Sequence, residues 1–382
     1  MNRPALALRG VAAGILIAAT TSLFAQPAIT LPPNGDNQKS TVSQQIGIVK
    51  VTIDYNSPNV TSPTGENRTG KIWGQLVPYG LTNLGFGPCK ECPWRAGANE
   101  NTIFTVTDDV KIQGQALKAG SYGLHYIVGP DEWTAIFSKN STSWGSYFYD
   151  PSEDALRVKV KPEKNEFTEF LTFDFTDRQP EKAIVALKWE NLEVPMEIAV
   201  DNMADRYIAN LRRELRSSPG FSWQAWAGAA QYALQNKSNL KEALTWAQNA
   251  VSNPFAGDEN FQTLSTLAQL QEANEMAADS ARTMERALNH PTATAIQIHQ
   301  HGRQLMAQKK NAEAMKVFEL NARRNPNKWP VNVGLARGYA AAGDMQKALK
   351  HARQAVKEAP DEASRKNVEG LVKSLEEGKK IN

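Results

Sequence analysis

At 382 residues the chain is too long for one ordinary hydrophobic core, so two or more domains are expected. With 41% hydrophobic and 22% charged residues it is a soluble globular chain and not a disordered one. The formal charge is only +3, and two of those charges sit on Arg3 and Arg9 of a leader-like start. What remains is nearly neutral and gives no electrostatic reason to expect nucleic acid or an anionic membrane as partner.

Residues 1–25 read as a secretory signal peptide: two arginines, the apolar run Val11–Ala19, then Ser22-Leu23-Phe24-Ala25 around a cut after Ala25. Thr20, Thr21 and Ser22 interrupt the run before it reaches spanning length, and no other segment is long and apolar enough to cross a bilayer. A periplasmic or secreted protein is the expectation, in a compartment where paired thiols persist as disulfides. Residues 26–40, with three prolines and Asn34-Gly35-Asp36-Asn37, read as a disordered leader.

From Gln45 the hydrophobic period is two. Val49, Val51, Ile53 and Tyr55 face one way, and Lys50, Thr52 and Asp54 the other. The same alternation recurs at Tyr122–Val128, Trp133–Phe137, Leu156–Val160, Glu169–Phe175, Ala183–Trp189 and Val194–Val200. Gln113-Gly114, Lys118-Ala119-Gly120, Gly129-Pro130-Asp131 and Tyr149-Asp150-Pro151 supply turns between them. Pro195 predicts an edge strand, because proline cannot donate to a ladder. Many short strands with no helical pattern between them predict an antiparallel β-sandwich or barrel over residues 41–200, with the sandwich as the leading choice.

After Asp201 the period becomes helical. Met203, Tyr207, Leu211 and Leu215 predict a connecting helix within 201–220, stopped by Ser217-Ser218-Pro219-Gly220. A repeat then begins: Ala314, Phe318, Asn321 and Pro326 match Ala348, Ala352, Ala355 and Pro360 at an offset of 34 residues, and Gly302 matches Ala336 at the same offset. Leu335, Ala336, Tyr339 and Gly343 precede the last set. Looser copies lie at Trp223–Pro254 and Asp258–Pro291. Phe221–Pro360 therefore resembles four tetratricopeptide repeats, with Asp361–Gly378 as the closing helix of a solenoid over 221–378. The resemblance implies a helix-lined groove that holds a peptide or partner protein. A solenoid that merely packs on the sandwich is the alternative.

Within the strand-rich half, Leu76-Val77-Pro78-Tyr79-Gly80, Trp94-Arg95-Ala96-Gly97-Ala98-Asn99-Glu100 and Leu117-Lys118-Ala119-Gly120-Ser121-Tyr122 occur in that order. Asp131-Glu132-Trp133-Thr134, Trp144-Gly145 and Arg157-Val158-Lys159-Val160 follow. Together they resemble the domain-of-unknown-function family numbered 2911 over about Ser40–Val200. The resemblance implies an exported bacterial β-domain, sometimes followed by tetratricopeptide repeats, and brings no established activity. The segment Leu81–Pro93 departs from it as an insertion carrying both cysteines, so their role is not inherited.

The candidate chemistry gathers around that insertion. Cys89 and Cys92 have Cys-x-x-Cys spacing, but no strand precedes them and no helix follows, and the further ligands of a metal site are missing nearby. A local disulfide is the plain reading, with redox or metal roles as rivals; no cofactor is expected. Trp94, Arg95, Asn99 and Glu100 could hold an anionic or hydroxylated ligand, or form only an ion pair and a turn. His125 lies on the face opposite Tyr122, Leu124 and Tyr126, so it is expected to be exposed or to line a groove. The stretch Ser143–Asp150, with Trp144, Tyr149 and Asp150, could stack on a glycan or close the end of the sandwich. His299 and His301, two apart on a helix, cannot chelate together. No nucleophile-elbow, zincin, phosphate-loop or dinucleotide motif is present. The leading reading is a non-enzymatic exported binding protein, taking a small-molecule or glycan ligand on the sandwich and a protein or peptide on the repeats. The alternative is a hydrolase using Glu100, His125 or Asp150 as acid and base.

Overall fold

The computed structural model describes residues 37–326, 328–379 and 381. The signal peptide and most of the leader expected at 1–25 and 26–40 lie outside the described residues.

Ten strands form two open antiparallel sheets among the described residues. The first runs in the order β1 (Gln38–Ile46), β2 (Val49–Ser57), β3 (Thr102–Val106), β6 (Gly120–Ile127), β7 (Trp133–Ser138) and β8 (Asp154–Val160). The second is β5 (Gln115–Leu117), β4 (Val110–Ile112), β10 (Lys182–Ala199) and β9 (Glu163–Arg178). Alternation decides which side chains meet between them. Val51, Ile53, Phe104, Leu124, Phe137 and Val158 point inward from one sheet, and Leu171, Phe173, Val185, Leu187 and Ile198 from the other. Tyr55 and Phe173 touch edge to face across the gap, with centroids 5.1 Å apart. Burying each such side chain contributes about 1.5–3 kcal/mol.

Three expectations change in detail. β1 starts at Gln38, inside the stretch read as leader, because its edge position and polar outer face leave little hydrophobic signature. The runs at 183–189 and 194–200 are one long strand, β10, bent at Glu190, whose φ of 56° interrupts the alternation. β10 is also not an edge strand. Pro195 is tolerated because it falls after the last β9 pair at Glu193 and before the first β4 pair at Ile198.

The 58–101 connection from β2 to β3 is long and enters the core. It buries Ile72 and Ala96 completely and sets Trp73 and Trp94 against Trp133 and Trp189.

Helix α1 (Met203–Glu214) follows, then four helix pairs: α2 (Trp223–Gln235) with α3 (Leu240–Ser252), α4 (Phe261–Ala273) with α5 (Ala277–Asn289), α6 (Ala295–Ala307) with α7 (Asn311–Arg324), and α8 (Trp329–Ala341) with α9 (Met345–Glu358). α10 (Glu362–Glu376) closes the series against α9. These are the tetratricopeptide-like hairpins expected from the 34-residue offset. Fully buried alanines Ala243, Ala247, Ala314, Ala348 and Ala352 sit where the helices of a pair approach.

Candidate functional site

The candidate residues fall on two sides of the first sheet: His125 on its outer face, and Trp94 against the core between the sheets. On β6 the core-facing Leu124 and Tyr126 flank His125, which pairs with Ile136 of β7 and points the other way. That face is not open. The disulfide loop and the segment 139–149 fold over it, and Cys89, Cys92, Ile136 and Tyr149 make a second small core there. Cys89 and Cys92 are disulfide-bonded, with Cα atoms 5.7 Å apart. The backbone of Cys92 pairs with Thr82, and the Cys89 amide donates to the Tyr147 carbonyl at 3.2 Å, clasping loop to segment. Asn101 anchors the segment's start: its amide side chain donates to the Asn140 carbonyl at 3.2 Å.

His125 is therefore neither exposed nor in a groove; only 2% of it reaches solvent. Its phase on the strand was legible, but the cover over that face is built from residues distant in sequence. Nδ1 lies 2.9 Å from Ser146 Oγ, and the ring meets Tyr149 edge-on at 5.4 Å. Burial, with the Arg95 charge adding to it, pushes His125 down to about 3, so it is neutral near pH 7.

The acid and base residues of the hydrolase alternative do not converge. Glu100 is exposed and accepts from Asn56 Nδ2 at 2.9 Å. Asp150 is exposed and caps the short 3-10 turn Pro151–Glu153 by accepting from the Ser152 amide at 2.9 Å, a bond that holds its carboxyl below the usual range. Tyr149 is buried, donating to Asp154 Oδ2 and accepting from Arg157 Nη2, each at 2.8 Å; burial raises its phenol.

Trp94, Arg95 and Asn99 do come together. They line a cleft of about 400 Å³ with Arg68, Trp189 and several prolines, and no carboxylate is among the described residues lining it. Trp94 is held by reciprocal backbone hydrogen bonds to Tyr126 at 2.8 and 2.7 Å and stacks on Trp189. Asn99 takes a left-handed φ of 57°, which turns its carbonyl back to accept from Arg95 Nη1 at 2.6 Å. The Arg95 guanidinium lies 5.0 Å above the Tyr147 ring. It fits there because Gly145, at φ 59°, has no Cβ to strike it. Arg68 is fixed by Nε and Nη2 donating to the carbonyls of Val60 and Asn59.

Beside the cleft stands an aromatic ridge. Phe86 is 64% exposed, and its ring centroid is 5.5 Å from that of Tyr147 and 6.1 Å from that of Phe148; Trp144 is 54% exposed on the same covering segment. Phe86, Arg68, Ser146 and Trp189 were not singled out from sequence. Ser146 lay within the aromatic stretch, whereas Arg68 and Trp189 reach the cleft only through long-range packing.

A second cleft lies in the helical region. α3 packs on α4, and α7 on α8, but packing between the second and third helix pairs is sparse. There a cleft of about 1050 Å³ opens, lined by α5, α7 and the C-terminal halves of α4 and α6. Its floor includes Met284, Leu288, Leu305, Val317 and Leu320; its charged residues are Glu272, Glu285, Glu313, Lys310, Lys316 and Arg323. One end is pinned. Arg324 of α7 donates to the Leu288 carbonyl through Nη1 and to that of His290 at 2.8 Å, tying the third pair to the end of α5.

Among the described residues no helix is long and apolar enough to cross a membrane, and no group of three or more His, Cys, Asp or Glu is placed to hold a metal ion. No curated protein matches the chain. Among solved structures, YrrB, described as a tetratricopeptide-repeat protein with an unusual peptide-binding site, is 19% identical, covers 44% of this chain and 85% of its own, and has a TM-score of 0.30. TTC0263, a tetratricopeptide-repeat protein of Thermus thermophilus, is 16% identical, covers 45% of this chain and 90% of its own, and also scores 0.30. Residues 37–198, which span both sheets, match the family described as "Protein of unknown function (DUF2911)".

Proposed function

We propose that this is an exported binding protein in which the helical repeats dock a partner segment and the sandwich contacts a ligand through the Trp94–Asn99 cleft and the Trp144 ridge. The observation that carries the reading is the cleft between the second and third helix pairs. An apolar floor between acidic and basic residues suits an amphipathic helix of a partner carrying both signs of charge. On the sandwich, two guanidinium groups without a lining carboxylate favour an anionic or hydroxylated ligand, and the flat Trp94 favours one with an apolar face.

Capture from an extracytoplasmic extract tests both surfaces. Met284→Glu with Leu320→Glu puts two charges on the cleft floor and should lose the protein partner about tenfold or more, a change of about 1.4 kcal/mol or more. Arg95→Met with Trp144→Ala should lose whatever the sandwich retains. Phe255→Ala, at a residue 88% exposed and outside both clefts, should change nothing. Equal capture by all of these variants would overturn the reading.

A further inference from the structure

Asn37, the first described residue, lines the sandwich cleft together with Pro58, which follows the last residue of β2. The β1–β2 register is the cause: Gln38 pairs with Ser57, so the start of β1 and the exit of β2 stand side by side at the cleft wall. The residues before Asn37 therefore depart from that wall. Residues 26–36 read Gln-Pro-Ala-Ile-Thr-Leu-Pro-Pro-Asn-Gly-Asp, with Leu31 six residues ahead of Asn37. At about 3.1 Å per residue in an extended polyproline run, six residues reach roughly 19 Å.

The cleft suits such a run in its shape, its hydrogen-bonding groups and its charge. Leu76, Val77, Pro78 and Pro93 make an apolar wall beside the flat Trp94. Proline rings lie well on an aromatic face of this kind, and the preformed extended helix loses little entropy on docking. The polar groups of the cleft are donors. Arg68 uses Nε and Nη2, and Arg95 uses Nη1, on backbone carbonyls, which leaves Arg68 Nη1 and Arg95 Nη2 without an acceptor among the described residues. A Leu-Pro-Pro run presents carbonyls and, with two N–H groups missing, needs few acceptors in return. No carboxylate is among the described residues lining the cleft, and the one charged residue of 26–36 is Asp36, next to Asn37.

We infer that the sandwich cleft is a docking site for an extended, proline-containing segment, and that its occupant is this chain's own Ile29–Asp36. Leu31-Pro32-Pro33 covers the apolar wall, and Asp36 supplies the acid that the two guanidinium groups lack. The inference rests on the reading of this cleft as a binding site and adds what fills it: an external ligand enters by displacing the segment.

The test uses a labelled, end-blocked peptide of residues 26–36, read by fluorescence anisotropy against the full chain and against the full chain carrying Leu31→Asp, Pro32→Gly and Pro33→Gly. A tethered segment faces its site at an effective concentration on the order of millimolar. The peptide should therefore bind the triple variant and bind the parent about tenfold more weakly. A peptide carrying the same three changes should bind neither. Leu76→Asp, at a cleft residue 47% exposed and outside the core, should weaken the peptide about tenfold when added to the triple variant. In the parent without peptide, the Ile29 and Thr30 amides should exchange about tenfold more slowly than in Leu76→Asp alone. Equal binding to parent and triple variant, no binding to the triple variant, equal binding of the altered peptide, or equal exchange in parent and Leu76→Asp would each overturn the inference. The reading of the cleft as a ligand site fails separately, when Arg95→Met with Trp144→Ala captures as much as the parent.

Discussion

His125 shows how a residue can be placed correctly on its strand and still be misread. Its neighbours Leu124 and Tyr126 fix the phase, and that much is local. Whether the opposite face is wet depends on a loop some forty residues earlier and a segment some twenty later, which no window on β6 contains. The consequence is measurable. With a folded value of about 3 against an ordinary 6.5, the unfolded chain binds the extra proton between those pH values. Stability is therefore full above about pH 6.5 and is lost as pH falls toward 3, by about 4 kcal/mol from this residue. His299, pushed down to about 4 by burial, contributes in the same direction. Urea midpoints measured from pH 7 to pH 4 should fall less steeply in His125→Gln than in the parent. Parallel slopes would contradict the burial.

At the scale of elements, periodicity carried the strands with one wet face and the helix pairs with their 34-residue offset. It missed β1, whose sequence Gln-Lys-Ser-Thr-Val-Ser-Gln-Gln-Ile is mostly polar, and the bend at Glu190, where the left-handed residue flips the pattern. It also gave no sign that Ile72 and Trp73 leave a glycine-rich loop to join the core. The candidate site was half legible. Trp94, Arg95 and Asn99 stand in one turn and share a cleft, whereas Glu100 is engaged by Asn56, distant in sequence, and Asp150 caps its own turn through the Ser152 amide. The disulfide belongs to this scale, since it closes a loop of only four residues. Chain entropy for so short a ring amounts to about 2 kcal/mol. Replacing Cys89 and Cys92 by serine should lower stability by about that much and speed amide exchange in 144–149, which the loop clasps through Tyr147. Unchanged exchange there would mean that the loop does not hold the segment.

For the whole molecule, α1 is the part shared by both halves. Met203 lies in the sandwich core, with Tyr207 packed against it, while Ile208 and Leu215 lie in the core of the first repeats. Arg206, between them, pairs with Asp108 at 2.6 Å and donates to the Asp109 carbonyl at 2.8 Å. Cores linked in this way should melt together. Calorimetry should show one main transition, and Met203→Ala, which costs about 2–3 kcal/mol on the sandwich side, should split it into two. Two separate transitions in the parent would contradict the coupling.

The central claim is that the cleft between the second and third helix pairs receives a partner. Its most direct measurement is photo-crosslinking in the producing cell, with a crosslinking amino acid at position 320 in the cleft and, as control, at the exposed position 255. The account predicts a discrete crosslinked product from position 320 that disappears with Met284→Glu and is not formed from position 255. The same products from both positions, or none from 320, would contradict it.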